Sequence, residues 1–187
     1  SIAKTILRRG PDFQKYITRG NCSLYHSRLK IIDTKTRSNQ SFTDKYKKHY
    51  LLFNGEIYNF KFLKREFKLK CKTSSDTEVL FLFLKKLGIK KTLKHIEGMF
   101  SFIFYNLKTN MIFGARDHFG QKPFYYSYKD KNLNCSTNIK PLMKLSGLNK
   151  FSQNALDFYL NSSGILPVDK TLYEDIPWMW SDQFEYN

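Results

Sequence analysis

The sequence predicts an α+β fold with packed sheets. Short β-like runs come first, apolar residues at helical spacing occupy positions 57–96, and two hairpin patterns follow position 98. Strands and helices that are segregated along the chain in this way are typical of α+β domains rather than of repeated βαβ units. With 187 residues, 41% of them hydrophobic, the chain can bury a substantial core, and we expect one domain with at most an appendage.

The N-terminal third is predicted to hold the end of one helix and three short strands. The helix end, residues 1–7, is stopped by Gly10 and Pro11. The stretch 33–48 is polar and has no sustained period, which indicates a loop. The predicted strands are the β-like runs at residues 21–25, 29–32 and 49–53, the first two joined by 26–28.

Helical spacing dominates the middle of the chain. Apolar residues recur every three or four positions over 57–67, which predicts a helix. A second helix is predicted over 77–87, with Ser75 or Asp76 as its N-cap. This segment is apolar almost all round, so it should be covered on more than one side. Gly88 should end it, and a short helix over 89–96 should follow.

The last third returns to strands. Residues 99–105 and 111–115 predict one hairpin, and residues 124–128 and 133–136 predict another. The two remaining segments with helical spacing are residues 139–145 and 152–160.

Composition and charge narrow the class of protein. The net charge of +16 arises from 32 Lys and Arg against 16 Asp and Glu, a balance that suits a nucleic-acid partner. The basic residues are scattered, however, and the densest cluster, 61–68, has the pattern of the wet face of an amphipathic helix. No zinc-finger, RRM-like or basic-zipper pattern is present, so we do not expect a nucleic-acid partner.

The cysteines and the apolar runs indicate a cytoplasmic protein. Cys22, Cys71 and Cys135 lie far apart without a C-x-x-C pair, so they support neither a zinc site nor a disulfide framework. No apolar run reaches the roughly 18 residues that span a bilayer, and the first residues do not resemble a secretory signal. We therefore expect no metal and no membrane contact.

Asn54 and Gly55 form the first candidate site. An apolar run, residues 50–53, ends at these two residues, and Glu56 follows. Asn-Gly is a strong hairpin dipeptide, so a turn is the simplest interpretation of this pair alone. A side-chain amide and a glycine N–H at a strand end are also the two donors that an oxyanion hole requires.

Six motifs, occurring in one order, carry a family resemblance. They are Arg9-Gly10-Pro11-Asp12, His26-Ser27-Arg28-Leu29-Lys30-Ile31-Ile32-Asp33, Asn54-Gly55-Glu56-Ile57-Tyr58-Asn59, Ser75-Asp76-Thr77-Glu78, Glu97-Gly98-Met99-Phe100-Ser101-Phe102 and the loop 116–126. Over roughly Arg8 to Asp175 the chain resembles the class II glutamine amidotransferase domain of glutamine-hydrolysing asparagine synthetases. Amidophosphoribosyltransferases and glucosamine-phosphate synthases share the fold, but the Arg-Asp-x-x-Gly-x-Lys-Pro loop favours the asparagine synthetase branch.

The resemblance implies a fold and an activity. The fold is the four-layer αββα sandwich of two mostly antiparallel sheets found in N-terminal-nucleophile hydrolases. The activity is hydrolysis of L-glutamine to glutamate and ammonia. A second, synthetase domain, normally in the same chain, uses ATP and Mg²⁺ to amidate aspartate with that ammonia, so no cofactor is expected in this chain. The resemblance is compatible with a homodimer, and the sequence does not decide the oligomeric state.

The resemblance also implies the binding residues. Arg28 matches the arginine that binds the substrate carboxylate, a role that suits the fork of a guanidinium. Asn54 and Gly55 match the oxyanion donors. Asp76 also fits an ordinary helix cap, which would leave one oxygen free for a substrate. The loop 116–126 is expected to be structural. The resemblance also implies that backbone groups of Leu29, Lys30, Ile31 and Ile32 line the side of the site that holds the substrate carboxylate. Glu56 and Asp76 are implied to bind the α-amino group of the substrate.

The sequence departs from the family pattern at both ends, and the residues after 176 no longer follow it. At the N-terminus, the family's mature chain begins with a nucleophilic cysteine on a first strand well before the Arg-Gly-Pro-Asp motif, whereas only eight residues precede Arg9 here. We expect that strand and nucleophile to be missing and the chain as printed to be inactive, with Ser1 a poor substitute. We assign residues 1–176 to the amidotransferase domain and 177–187 to a divergent tail. The alternative is a nucleophile-less domain that binds glutamine or acts as a scaffold.

Overall fold

The computed structural model describes residues 5, 10–28, 41–147, 150–166, 170–179 and 183–186. Within these ranges the chain forms nine strands and four helices, in the segregated order expected of an α+β domain. The strands are β1 (Phe13–Arg19), β2 (Cys22–Arg28), β3 (Phe42–Thr43), β4 (His49–Ile57), β5 (Gly98–Asn106), β6 (Met111–Arg116), β7 (Tyr125–Lys129), β8 (Asn132–Ser136) and β9 (Gln183–Tyr186). The helices are α1 (Phe60–Glu66), α2 (Asp76–Leu93), α3 (Ile139–Ser146) and α4 (Gln153–Asn161).

A five-stranded antiparallel sheet forms the centre of the molecule, with strand order β3-β4-β5-β6-β9. Its longest ladder joins β4 to β5, from the His49–Asn106 pair to the Ile57–Gly98 pair. Strand β9 pairs with β6 and adds the fifth strand, so residues that we assigned to a divergent tail take part in the sheet. Just before β9, Met179 is buried and its N–H donates to the carbonyl of Phe124.

Strand β4 passes straight through Asn54 and Gly55. We expected the strand to end at Phe53, and the turn interpretation of Asn-Gly is wrong, because the ladder continues to Ile57. A Cβ added to Gly55 would lie 2.1 Å from the carbonyl oxygen of Met99, and the residue has φ +153°. Glycine is therefore required here by the close approach of β5 rather than by a reversal of the chain.

Helices α1 and α2 cover one face of this sheet. As predicted, Ser75 caps α2, since its hydroxyl accepts from Thr77 N at 3.1 Å. Gly88, with φ +74° and ψ 172°, interrupts the helical backbone where the sequence predicted the end of a helix. Helix α1 is shorter than the predicted 57–67 and begins at Phe60. The core beneath the helices includes Val79, Leu80, Phe83, Leu84, Phe102 and Phe104.

Two two-stranded ribbons, β1-β2 and β7-β8, face the other side of the sheet, and α3 packs on the second ribbon. The first layer is formed by α1 and α2, the second by the five-stranded sheet, the third by the two ribbons and the fourth by α3. This is the four-layer αββα order that the resemblance implied. Strand β1 was not predicted, and residues 26–28 belong to β2 rather than to a connector. In β1 the charged residues Lys15 and Arg19 stand on the same side as Phe13 and Ile17, which hides the period-2 pattern.

Some expectations concern residues outside the described ranges. They are the helix end over 1–7 apart from residue 5, the strand over 29–32 and the first half of the loop over 33–48, residues 33–40. In the part of the chain that the structure describes, no helix combines the length and the apolar character needed to cross a bilayer.

Candidate functional site

A row of polar side chains crosses the central sheet next to the ribbons. Asn54 of β4 is paired with Ser101 of β5, and Ser101 is paired with Arg116 of β6. Directly opposed residues of antiparallel strands project from the same face, so the three side chains form neighbours in one row. Asn54 Nδ2 and Ser101 Oγ are inaccessible to solvent and have no hydrogen-bond partner among the described residues. These two groups therefore keep unused hydrogen-bonding capacity at the candidate site.

A cavity of about 290 Å³ lies over Asn54 and Ser101, between the central sheet and the two ribbons. Its floor is formed by residues 52–54 and 101–103, and residues 22–27 of β2 form one wall. Leu133 and Cys135 of β8 and Pro141 of α3 belong to the opposite wall. The lining is mostly apolar with a few polar groups, which is the usual character of a small-molecule site.

His26 joins β2 to the end of the cavity that holds Asn54. Its Nε2 lies 3.4 Å from the carbonyl oxygen of Phe53, while its Nδ1 is buried and has no partner among the described residues. Burial lowers the pKa of His26 to about 4 against the raising effect of the Phe53 carbonyl, and the charge of Arg28 lowers it further. The ring is therefore neutral at pH 7.

The sequence analysis did not select His26 as a site residue, because residues 26–28 were interpreted as a connector. In a strand, residues two apart share a face, so the role assigned to Arg28 could have drawn attention to His26.

Arg28 is the last residue of β2 and is buried, with 6% of its surface exposed. Its carbonyl accepts from Asp12 N at 3.1 Å, which fixes the end of the strand next to the 10–12 turn. Residues two apart in a strand share a face, so Arg28 projects to the same side of β2 as His26. The predicted role of Leu29, Lys30, Ile31 and Ile32, which is to line the carboxylate end of the site with backbone groups, stays a prediction because these residues lie outside the described ranges.

Asp76 is the first residue of α2 and binds the backbone on both sides. Its Oδ1 accepts from Thr77 N at 2.8 Å, and its Oδ2 accepts from Ile57 N at 3.0 Å. Neither oxygen is free of a partner, as we had expected one to be, but each carboxylate oxygen retains a second lone pair. Burial raises the pKa of Asp76 against these two hydrogen bonds, and the negative charge of Glu56 raises it further. Glu56 directly precedes Ile57, whose N–H binds Asp76, so the two acidic residues are neighbours at this end of β4.

Among the described residues, the structure places Asn54, Gly55, Glu56 and Asp76 at one end of β4, and of these Asn54 lines the cavity. Asn54, Gly55 and Glu56 are consecutive on β4, and Asp76 is bonded to the next residue along, Ile57. Strand β2 lies beside the same part of β4, because His26 contacts the carbonyl of Phe53. Arg28 is the last residue of β2.

The loop after β6 is held internally, which is consistent with the structural role that we expected. The Arg116 guanidinium donates to the carbonyls of Lys122, Gly120 and Met179 and lies 4.5 Å from the ring centre of Trp178. The Asp117 carboxylate accepts the N–H groups of Phe100, Gln121 and Lys122.

The two cysteines that line the cavity have the properties of packing residues. Burial raises the pKa of Cys22 to about 11, and burial also raises the pKa of Cys135. A thiol that is protonated at neutral pH is a poor nucleophile. Within the described ranges, His, Cys, Asp and Glu side chains form no group of three that could hold a metal ion.

Comparison with solved structures identifies the class of fold. The chain is similar to the glutamine phosphoribosylpyrophosphate amidotransferase of B. subtilis, with a TM-score of 0.56 and 22% identity over 67% of this chain and 29% of that one. It is also similar to an allosteric regulatory enzyme of purine biosynthesis, with a TM-score of 0.54 and 20% identity over the same shares. The fold is that of the N-terminal-nucleophile amidotransferases.

Sequence comparison then gives the family. A sequence model of the glutamine amidotransferase domain matches residues 1–184, and the chain belongs to that family. Asparagine synthetase (glutamine-hydrolyzing) 1 of Bacillus subtilis strain 168 is 32% identical over 89% of this chain and 26% of its own length. Asparagine synthetase B of Escherichia coli strain K12 is 32% identical over 69% of this chain and 23% of its own length. The chain therefore spans about a quarter of each of these two relatives.

Proposed function

We propose that this domain binds L-glutamine and supplies ammonia as the glutaminase part of an asparagine synthetase-like enzyme. The observation that carries the proposal is the buried amide of Asn54, unpartnered among the described residues, at the base of a cavity next to the Glu56–Asp76 pair. A donor held in this way is preorganised for the oxyanion of amide hydrolysis, and losing one such donor costs about 3–4 kcal/mol in other hydrolases.

The charges of the site suit a free amino acid. Arg28 supplies a buried cation for the α-carboxylate, and Glu56 and Asp76 supply negative charge for the α-ammonium. The side-chain amide then extends toward Asn54 and Gly55, whose donors stabilise the tetrahedral intermediate. Because the neighbourhood is buried, each of these interactions is stronger than it would be in water.

We propose that the attacking thiolate comes from an N-terminal cysteine outside these 187 residues, since burial raises the pKa of both cavity cysteines, Cys22 and Cys135. The raised pKa values of Cys22 and Cys135 also favour the alternative, which is a domain that binds glutamine or acts as a scaffold without hydrolysing it. The two hypotheses share the binding site and differ only in whether a nucleophile is present.

The ammonia is proposed to serve a second domain. The relatives named above are glutamine-hydrolysing asparagine synthetases, and they are much longer than this chain. We place ATP and Mg²⁺ in that synthetase domain, normally part of the same chain, where aspartate would be amidated. The cytoplasm is the proposed location, in keeping with three free cysteines.

Binding of L-glutamine to the 187-residue polypeptide tests the proposal. In ¹⁵N-edited NMR spectra we expect saturable shifts at the amides of residues 54–57 and 76–77, with D-glutamine as the control that produces none. No saturable binding of L-glutamine would contradict the proposal. Fusion to a first strand that begins with Cys-Gly should then produce ammonia release, and continued inactivity of a fusion that binds glutamine would favour the scaffold alternative.

A further inference from the structure

Three unpartnered polar atoms share the cavity. Among the described residues, the buried side-chain atoms without a hydrogen-bond partner include His26 Nδ1, Asn54 Nδ2 and Ser101 Oγ. All three residues line the cavity between the central sheet and the ribbons. Buried polar atoms are nearly always paired in native proteins, so three unpaired atoms around one space indicate that a polar ligand group completes them.

Each atom has a defined hydrogen-bonding role. A carbonyl oxygen can only accept, so the contact with Phe53 places the ring proton of neutral His26 on Nε2. Nδ1 then carries a lone pair and is an acceptor. Burial keeps the ring neutral by lowering the pKa of His26 to about 4, so this assignment holds throughout the neutral range. Asn54 Nδ2 can only donate, and the Ser101 hydroxyl can donate as well.

One acceptor and two groups that can donate, all on residues lining one cavity, are complementary to a primary carboxamide. The carboxamide oxygen accepts from Asn54 and Ser101, and its NH₂ group donates to His26. A carboxylate has no proton to offer Nδ1, so it would set a lone pair against a lone pair. Sites that leave a buried polar group unpaired discriminate strongly against the wrong ligand.

We propose that His26 is a specificity-determining residue, whose Nδ1 accepts from the side-chain NH₂ of glutamine and so selects glutamine over glutamate. The inference rests on the proposed function, because it assigns the cavity to the reacting end of glutamine. Ser101 shares the recognition of the carboxamide oxygen with Asn54. The same arrangement disfavours the product, since glutamate lacks the NH₂ group that His26 binds.

Two substitutions of His26 distinguish the acceptor role of Nδ1 from the contact that Nε2 makes with the Phe53 carbonyl. His26→Asn can place an amide oxygen near the position of Nδ1 and so keep the acceptor. His26→Gln can keep a donor to the Phe53 carbonyl but has only a methylene near Nδ1. His95→Gln is the matched control, because His95 is exposed and its Nδ1 contacts the Lys91 carbonyl at 2.7 Å, away from the cavity.

The experiment is calorimetric titration of the 187-residue polypeptide with L-glutamine and with L-glutamate. We expect the ratio of the two dissociation constants to fall at least about tenfold in His26→Gln, as for the loss of one buried hydrogen bond. The ratio should be largely kept in His26→Asn and unchanged in His95→Gln. A wild-type protein that binds glutamine, with the same ratio in His26→Gln, would overturn the role of His26 and leave the proposed function standing.

A measurement on the unaltered protein guards against variants that fail to fold. The ¹⁵N resonance of His26 Nδ1 should move toward the hydrogen-bonded range on saturation with L-glutamine and stay in place with L-glutamate. An unmoved resonance at saturating glutamine would overturn the inference, because Nδ1 would then have no contact with the ligand. Absence of any glutamine binding would overturn the proposed function together with the inference.

Discussion

The carboxylate of Asp76 accepts the backbone N–H of Ile57 at 3.0 Å and so ties the start of α2 to the end of β4. Its second oxygen accepts from Thr77 within the first turn of α2. One residue therefore aligns a helix N-terminus with the strand that carries Asn54, and the nearby Glu56 adds a second negative charge. Because this link is made at the candidate site, Asp76 has a structural role there, and the proposed function adds a ligand-binding role.

The structural role of Asp76 and its proposed ligand-binding role can be separated by comparison with Glu78. Glu78 also lies in the first turn of α2, but its carboxylate binds Thr73 and the N–H of Lys72, away from β4. We expect Asp76→Asn and Glu78→Gln each to lower the free energy of unfolding by about 1–3 kcal/mol, since each weakens buried hydrogen bonds. Only Asp76→Asn should weaken L-glutamine binding, by at least about tenfold. Urea unfolding and calorimetry measure the two effects, and equal glutamine affinity in both variants would assign Asp76 to structure alone.

Arg28 should determine the affinity for the α-carboxylate. We expect Arg28→Ala to raise the dissociation constant of L-glutamine about a hundredfold, because a buried charge-assisted pair is lost. Arg28→Lys should restore part of the affinity, since it keeps the charge without the two-pronged geometry. Arg65→Ala on the outer face of α1 is the control and should bind as the parent does. Unchanged affinity in Arg28→Ala would remove this residue from the site.

Acid should destabilise the fold through His26. The pKa of its folded state is about 4, below the ordinary value of 6.5, because burial disfavours the charged ring. The unfolded chain therefore binds the proton first as the pH falls. The stabilisation is complete above pH 6.5 and is lost toward pH 4, by up to roughly 3 kcal/mol. Unfolding free energies of the parent and of His26→Gln should converge across this window. Parallel pH profiles of the two proteins would contradict the assigned pKa.

A second titrating group lies at the opposite end of β4. Asp44 accepts from Lys85 Nζ at 2.7 Å, from His49 Nδ1 at 2.8 Å and from Lys48 N at 2.8 Å. Burial pushes the pKa of Asp44 upward, but the hydrogen bonds from Lys85 and His49 outweigh it, so the net shift is downward. The contacts join α2 to the segment between β3 and β4.

A carboxyl whose pKa is lowered in the folded state stabilises the fold above its ordinary pKa and loses that contribution as the pH falls further. We expect Asp44→Asn to lower the free energy of unfolding by about 1–3 kcal/mol at pH 7. The difference from the parent should shrink below about pH 4. Asp157→Asn on the exposed side of α4 is the control and should leave stability unchanged. A constant difference from pH 7 to pH 3 would argue against the charged cluster.

Local signals in the sequence predicted the elements that local chemistry determines. The hydroxyl of Ser75 caps α2, and Gly88 breaks it, because both effects depend on residues within one helical turn. The hairpins around residues 107–110 and 130–131 also form where short turn-rich stretches separate apolar runs. The family motifs predicted a common location for Asn54, Glu56 and Asp76, and the structure places these three residues at one end of β4.

Features that depend on distant neighbours were not predictable. Gly55 is needed because Met99, on another strand, approaches the backbone, and nothing next to Gly55 in the sequence reveals that contact. Strand β9 was not expected because it is only four residues long and is formed by pairing with β6, which is distant in the sequence. The contact between the His26 ring and the carbonyl of Phe53 likewise joins two strands that are distant in the sequence.

The cavity thiols should not catalyse glutamine hydrolysis. Burial raises the pKa of Cys22 to about 11 and also raises that of Cys135, so both are protonated at neutral pH. We expect the 187-residue polypeptide to release no ammonia above background from saturating L-glutamine. Loss of the nucleophile in a serine protease lowers kcat about a millionfold, which sets the scale of the deficit. The double variant Cys22→Ser and Cys135→Ser should behave as its parent does. Turnover that is sensitive to thiol reagents and disappears in this double variant would identify one of these cysteines as the nucleophile, and turnover abolished by blocking the Ser1 amine would identify Ser1.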